Sequence, residues 1–166
     1  MNSGVCEKSL LGHENAVACL LKFDEFNLIS GSSDNSIKVW DFESGSYLYS
    51  LYGHIEVVKC ILKFDENILV SGSSDKTIKV WNVSNHICIN TLNAHLSTVN
   101  SLSKLGENQI ISSSTDATIK IYDFKQEKFV KTYNGLHSLP IMNAISLNDT
   151  KLISCSNDFT IRVFTT

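Results

Sequence analysis

Four histidines, His13, His54, His95 and His137, divide this 166-residue chain into near-equal parts, spaced 41, 41 and 42 residues apart. Asp34, Asp75, Asp116 and Asp158 keep the same spacing, as do Trp40, Trp81, Tyr122 and Phe164. A period near forty residues describes one small supersecondary unit. Such a unit cannot bury its apolar face alone and must stack on its neighbours. The repeat runs the whole length of the chain, and no linker, charge run or low-complexity tract interrupts it.

Residues 12–52 show what one unit contains. Gly12-His13 opens a loop. The segment 16–23 (AVACLLKF) is almost continuously apolar and predicts a strand buried on both faces. Asp24-Glu25 turns the chain into a second strand, NLISGSS (27–33), and Asp34-Asn35 makes the next tight turn. SIKVWDF (36–42) is β-branched and aromatic and predicts a third strand, and YLYSLY (47–52) predicts a fourth, outer one. Four antiparallel strands fill the period and leave no room for a helix. The same signals recur over 53–93, 94–134 and 135–166. The fold class is therefore all-β, a β-propeller built from four-stranded blades in one domain over residues 1–166.

Composition narrows the function. The net charge of −3 and a pI near 5.9 argue against direct nucleic-acid binding, which needs a basic stripe to release counterions from phosphates. The cysteines, Cys6, Cys19, Cys60, Cys88 and Cys155, are odd in number and include no C-x-x-C pair, so neither a disulfide framework nor a metal site is indicated. No cofactor is expected. The N-terminus lacks the basic start and apolar stretch of a signal peptide. No apolar run approaches the roughly 20 residues that span a membrane. A cytoplasmic or nuclear location follows as the expectation.

The stretches LISGSSDNSIKVWD and LVSGSSDKTIKVWN, with Gly-His upstream, resemble the WD-repeat (WD40) family, and the resemblance covers about Val5 to Phe164. It implies a buried hydrogen-bond chain in each blade. The members would be His13, Ser30, Asp34 and Trp40; His54, Ser71, Asp75 and Trp81; His95, Ser112, Asp116 and Tyr122; and His137, Ser154 and Asp158 with Phe164. A buried imidazole and carboxylate need such partners. Ser, His and Asp also make a hydrolase triad, but four equivalent sets inside apolar strands point to a brace and not to an enzyme. Some positions depart from the family pattern. Ala94 and Leu136 replace Gly, Tyr122 offers a hydroxyl in place of an indole, Phe164 cannot donate, and one residue is added between Phe124 and His137.

The family usually has seven blades and this chain supplies four. Its first residues, VCEKSLL (5–11), read as an outer strand able to complete the last blade. Closure of one chain would turn each blade by about 90°, against about 51° for seven blades and about 45° for two chains forming eight. A fragment of a longer propeller or a self-associating chain, including a homodimer, is therefore expected over a closed four-blade monomer.

The resemblance also implies a non-catalytic scaffold that binds proteins or peptides, such as a recruiting or assembly subunit of a signalling or ubiquitin-ligase complex. The alternative is a half propeller that only completes a ring with another chain. The family's contact positions would be Ala16, Ala18 and Ser33; Val57, Lys59 and Ser74; Thr98, Asn100 and Thr115; and Pro140, Met142 and Asn157. Arginine grips phosphate bidentately, and the lone Arg162 argues against phosphopeptide reading by these blades. Lys38, Lys79, Lys120 and Arg162 recur at one position and read as a solvated strand face.

Overall fold

Runs of Val, Ile and aromatic residues between polar turns produce fifteen strands, with no helix among the described residues. The computed structural model describes residues 4–148 and 150–165. The first sheet contains β1 (Val17–Lys22), β2 (Asn27–Ser32), β3 (Ile37–Asp41) and β4 (Tyr47–Leu51). The second contains β5 (Val58–Lys63), β6 (Ile68–Ser73), β7 (Thr77–Asn82) and β8 (Ile87–Asn93). The third contains β9 (Val99–Leu105), β10 (Gln109–Ser114), β11 (Ile119–Asp123) and β12 (Lys128–Tyr133). Among the described residues the fourth contains β13 (Ile141–Asn148), β14 (Lys151–Ser156) and β15 (Ile161–Thr165).

Every sheet is an antiparallel meander in chain order. Inner strands stack on one another, β1 on β5, β5 on β9 and β9 on β13. No packing of comparable extent returns from the fourth sheet to the first among the described residues. The propeller is an open arc.

Each blade presents one face to its predecessor and one to its successor. Between the first two blades, Ile29, Ile37, Val39 and Leu51 meet Val58, Leu69 and Trp81. Between the second and third, Val70, Ile78 and Leu92 meet Val99, Ile110 and Tyr122. Between the third and fourth, Ile111, Ile119 and Ile121 meet Ile141, Ala144 and Leu152. Lys63 lies over the Phe23 ring (4.8 Å) and Lys104 over the Phe64 ring (4.7 Å), the same cation–π clasp repeated at successive blade junctions. Each clasp contributes about 0.5–1 kcal/mol at such partly exposed sites.

Two expectations from the sequence change here. First, the innermost strand of the first blade is not buried on both faces. Val17 is 55% and Leu20 62% exposed, because no blade stands before them, whereas Val58, Val99 and Ile141 at the same repeat position are fully buried. Second, residues 5–11 form no strand. They lie beside the β3–β4 turn, where the Lys8 ammonium donates to the Glu43 carbonyl and Leu10 approaches Gly45. A strand needs a ladder partner, and the free edge of β15 sits at the far end of the open arc.

Blade spacing depends on two glycines. A Cβ at Gly31 would stand 2.7 Å from Val58 Cγ1 and 2.6 Å from Cys19 Sγ. At Gly72 it would stand 2.6 Å from Val99 Cγ1 and 2.7 Å from Cys60 Sγ. These neighbours belong to packed inner strands and cannot swing away. Burial pushes the Cys19 thiol up to about 11 and raises Cys60 as well, so both act as small packing groups. We expect Gly72→Ala to destabilise the chain by about 1–3 kcal/mol through overpacking. Urea unfolding read by tryptophan fluorescence measures it; an unchanged midpoint would show that the junction tolerates a methyl group.

Candidate functional site

The repeated His, Ser and Asp converge within each blade. In the first, His13 Nε2 is 2.7 Å from Ser30 Oγ and His13 Nδ1 is 2.7 Å from Asp34 Oδ2. The Trp40 indole N–H donates to the same Ser30 oxygen at 2.8 Å. The second blade repeats these distances with His54, Ser71, Asp75 and Trp81. The indole can only donate, so the serine hydroxyl is left to donate onward to Nε2. The Nδ1 proton then faces the carboxylate. The chain has one direction, from indole to carboxylate, and it suits a neutral imidazole.

The third and fourth blades keep the inner part. His95 reaches Ser112 at 2.9 Å and Asp116 at 3.0 Å, and His137 reaches Ser154 at 2.7 Å and Asp158 at 2.8 Å. The outer donor is gone. The Tyr122 hydroxyl does not continue the chain to Ser112, a correction to the sequence expectation. It faces Asn90 of the second blade, and its ring packs edge-on against Phe124 and Phe129. The phenol extends further than an indole N–H and overshoots the serine. Ser112 turns to the Lys120 carbonyl at 3.4 Å. Phe164 meets the His137 ring edge-on, with centroids 6.3 Å apart.

Two further serine or threonine positions belong to the brace, and the sequence reading missed both. Ser36, Thr77, Thr118 and Thr160 donate to the carboxylate at 2.6–2.7 Å, and the backbone N–H of each donates to the same oxygen. Ser32, Ser73, Ser114 and Ser156 accept from the backbone N–H of the turn Asp and donate to a carbonyl of the His loop. Their recurrence in the period was the available signal. These bonds hold Asn35, Lys76, Ala117 and Phe159 at φ of 62–72° without glycine.

The same network sets the charge states. Burial alone would raise the Asp75 carboxyl, but Thr77 and His54 outweigh it and hold the group below the usual range. At Asp34, burial is likewise outweighed, by Ser36, the Glu14 amide and His13. Burial lowers His54 and His95, and their Asp partners offset only part of that. Arg162 approaches Asp158 at 3.7 Å.

Above the braces lies a rim. Ser33, Ser74, Thr115 and Asn157 donate their backbone N–H to the carbonyls of Ala16, Val57, Thr98 and Pro140 at 2.9–3.0 Å. Eight of the twelve predicted contact positions are thus joined in four identical pairs. Ala18, Lys59, Asn100 and Met142 follow one step along the inner strands. None of the twelve is buried. The Asn100 amide is engaged, donating to the Ile141 carbonyl at 2.8 Å and the Thr115 hydroxyl at 3.1 Å. Ile55 and Leu96, which follow their histidines directly, are 78% and 85% exposed on the same rim. The recurrent position of Lys38, Lys79, Lys120 and Arg162 is not the solvated face expected from the sequence: Lys38 is buried, Lys79 and Lys120 are half-buried, and only Arg162 is exposed. Lys38 and Lys79 run along the outer strands to Ser50 and Thr91, and Lys120 lies over the Phe129 ring.

Two outcomes test the brace. Trp81→Phe should cost about 0.5–1.5 kcal/mol through the lost hydrogen bond, besides any packing loss. Tyr122→Phe should stay within about 0.5 kcal/mol. Paired denaturation curves compare them, and equal losses would place Tyr122 in the brace. Acid should also destabilise the fold. The His54 and His95 pKa values fall below 6.5 on folding, and those of the turn carboxylates fall below 3.8. The unfolded chain therefore binds more protons, and stability rises with pH. The melting temperature should be level above about pH 7, decline as pH falls through the unfolded histidine value, and drop again below about pH 4. A melting temperature that rose on acidification to pH 5 would contradict the buried neutral imidazoles.

Comparison with known proteins agrees with this architecture. The family model for WD domain, G-beta repeat matches residues 4–41, 45–82 and 86–123. Each matched segment opens ahead of a His loop and closes on the strand bearing Trp40, Trp81 or Tyr122. The structure of U3-55K is similar with a TM-score of 0.84 at 27% identity, over 93% of this chain and 50% of that one. The crystal structure of RRP9 WD40 repeats is similar with a TM-score of 0.84 at 28% identity, over 93% of this chain and 49% of that one. The chain thus spans about half the length of these solved chains. No curated protein matches it. With more than half of its residues matched and its sheets arranged as repeated blades, the chain belongs to the WD domain, G-beta repeat family.

Proposed function

We propose that the chain is a non-catalytic protein-interaction scaffold whose rim takes a peptide or protein segment, as a recruiting or assembly subunit. WD40 repeats are interaction domains as a family, which supports the general role. The observation that carries the reading to this edge is the set of four identical backbone ties beneath solvent-accessible side chains. A rigid base with variable side chains above it suits recognition more than turnover. The buried serines support the same view. Ser30, Ser71, Ser112 and Ser154 are 3% exposed or less, and the first two are saturated by indole and imidazole, so none offers a free nucleophile to a substrate.

The chemistry of the rim favours neutral and apolar ligand side chains. Ile55, Val57, Leu96, Pro140 and Met142 supply apolar contact, and Lys59 is the single cation among the predicted contact positions. A second reading, half a ring completed by another chain, is favoured by the exposed apolar faces at both ends of the arc.

Selection of displayed peptides against the folded chain tests the first reading. The selected peptides should bind Lys59→Glu and Met142→Asp variants at least tenfold more weakly by fluorescence polarisation, with melting temperatures unchanged. Equal affinity for the variants would move the site away from the rim.

A further inference from the structure

The three junctions between blades are not fastened alike. At the end away from the rim, the first is closed by Lys63 over the Phe23 ring. On its outer side the Tyr49 hydroxyl donates to the Val83 carbonyl at 3.1 Å, and the Tyr49 ring stacks on His86 with centroids 3.6 Å apart. The second is closed by Lys104, which lies over the Phe64 ring and donates to the Phe64 carbonyl at 2.7 Å. The Phe64 and Phe124 rings meet there at 4.4 Å.

None of these fasteners recurs at the third junction among the described residues. Leu105 stands where Phe23 and Phe64 stand, and Ser146 where Lys63 and Lys104 stand. The Ser146 hydroxyl donates to the Asn148 carbonyl of its own strand at 2.9 Å and does not reach across. Ser103 takes the place of Leu21 and Leu62, which pack into the first two junctions, and its buried hydroxyl has no partner. Lys131 takes the place of Tyr49 and lies over the Tyr133 ring of its own strand.

On the inner strands at the rim end, the order reverses. The first two junctions have thiols there, with Cys19 Sγ 3.6 Å from the Val58 carbonyl and Cys60 Sγ 3.8 Å from the Val99 carbonyl. The third has stronger partners. The Asn100 amide donates to the Ile141 carbonyl at 2.8 Å, and the Ala144 N–H donates to Ser101 Oγ at 3.0 Å. The rim loops are tied at the first junction by Asn35 to the Ile55 carbonyl and at the second by the His95 amide to the Lys76 carbonyl. Ala117, at the position of Asn35 and Lys76, makes no such tie among the described residues. Asn100 and Ser101 thus hold the polar contact of the third junction at one point.

We propose that the third junction is a hinge, with the bonds of Asn100 and Ser101 as its pivot. Hydrogen bonds are directional and fix the strands where they cross. The opposite end of the junction keeps apolar contact alone, from the cluster that holds Leu105 and Leu152. Such contact has no preferred direction and lets one sheet slide on another. The fourth blade therefore turns about its rim end, and its far end travels. Every residue compared lies inside a repeat, and the first junction, next to the other terminal blade, is fully fastened. Pro140 and Met142 flank Ile141 at the pivot, so they turn nearly in place. The arc can thus change its curvature on the opposite face with little displacement of the rim.

Pulsed electron paramagnetic resonance between pairs of spin labels tests this. The background has Cys6, Cys88 and Cys155 replaced by serine. Labels at the exposed positions Glu107→Cys and Lys151→Cys report the far end of the third junction, and Glu25→Cys with Glu66→Cys report that of the first. Leu96→Cys with Ser138→Cys report the rim end of the third. The far-end distance distribution should be about twofold wider at the third junction than at the first, with the rim-end distribution narrow. Leu105→Phe with Ser146→Lys rebuilds the clasp and should narrow the far-end distribution to the width found at the first junction. Equal widths at the two far ends would overturn the hinge. A wide distribution at the rim end too would mean a blade held loosely throughout, with no pivot, and would also overturn it. A folded clasp variant, by circular dichroism, that left the far end as wide as before would show that the missing clasp is not what frees it.

Discussion

A single sheet of this sequence has two apolar faces and no means of burying either, so the fold depends on one blade standing against the next. The contact is specified at every junction by a branched side chain from an inner strand entering the small-residue surface of the preceding sheet. Val58 enters over Gly31 and Val99 over Gly72. The third junction reaches the same fit differently. Ser113 replaces glycine and bonds Ser101 at 2.7 Å, Ser101 accepts from the Ala144 amide at 3.0 Å, and Ala144 is smaller than the Ile61 and Leu102 at its repeat position. Volume removed from one side offsets volume added on the other, as close packing requires. That junction also encloses the Ser103 and Tyr133 hydroxyls without partners, which costs free energy the apolar junctions do not incur.

The polar braces act within blades, and their work differs from that of the packing between them. Packing sets which sheets adjoin but is indifferent to where a loop lies. The brace is directional. It ties the His loop to the Asp turn by bonds to imidazole, hydroxyl and backbone amides together, so both loops become one rigid unit at the edge of the sheet. Because a depressed carboxylate and a buried neutral imidazole each bind protons less readily than in the unfolded chain, the rim's rigidity is coupled to pH through the same atoms that build it.

The blade count, the strand order and the inner brace were legible in the sequence because each is a residue type repeated at a fixed distance. His13, Ser30 and Asp34 could be named, and their contacts are short and geometrically alike in all four blades. Tyr122 was not legible, since a donor's identity does not say whether its reach matches the acceptor. The hydroxyls at 36, 77, 118 and 160 repeat as faithfully as the aspartates, but serine and threonine are common in strands and turns and the pattern was overlooked. Burial was the least legible. AVACLLKF reads as a doubly buried strand, and its equivalents in the next two blades are far better covered. Its own exposure comes from the absence of a neighbour, which no local pattern encodes.

The open ends bear on the rim as much as on assembly. A ligand lying across several blades meets a surface whose curvature is the angle between sheets, and in an arc that angle is held only by internal junctions. Seating a further blade on Ile161 and Val163 would fix the fourth blade against rotation and bring its rim residues Pro140, Met142 and Asn157 into constant relation with the others. It would also cover Phe159, which is 99% exposed at φ 65° on the turn that, in the first blade, reaches the next one through Asn35 and the Ile55 carbonyl. A bulky aromatic held in a left-handed turn in open water gains nothing for a solitary arc. Set against the His loop of another blade, it becomes a contact. Phe159 thus lies on the border of the rim and the exposed face of the fourth blade.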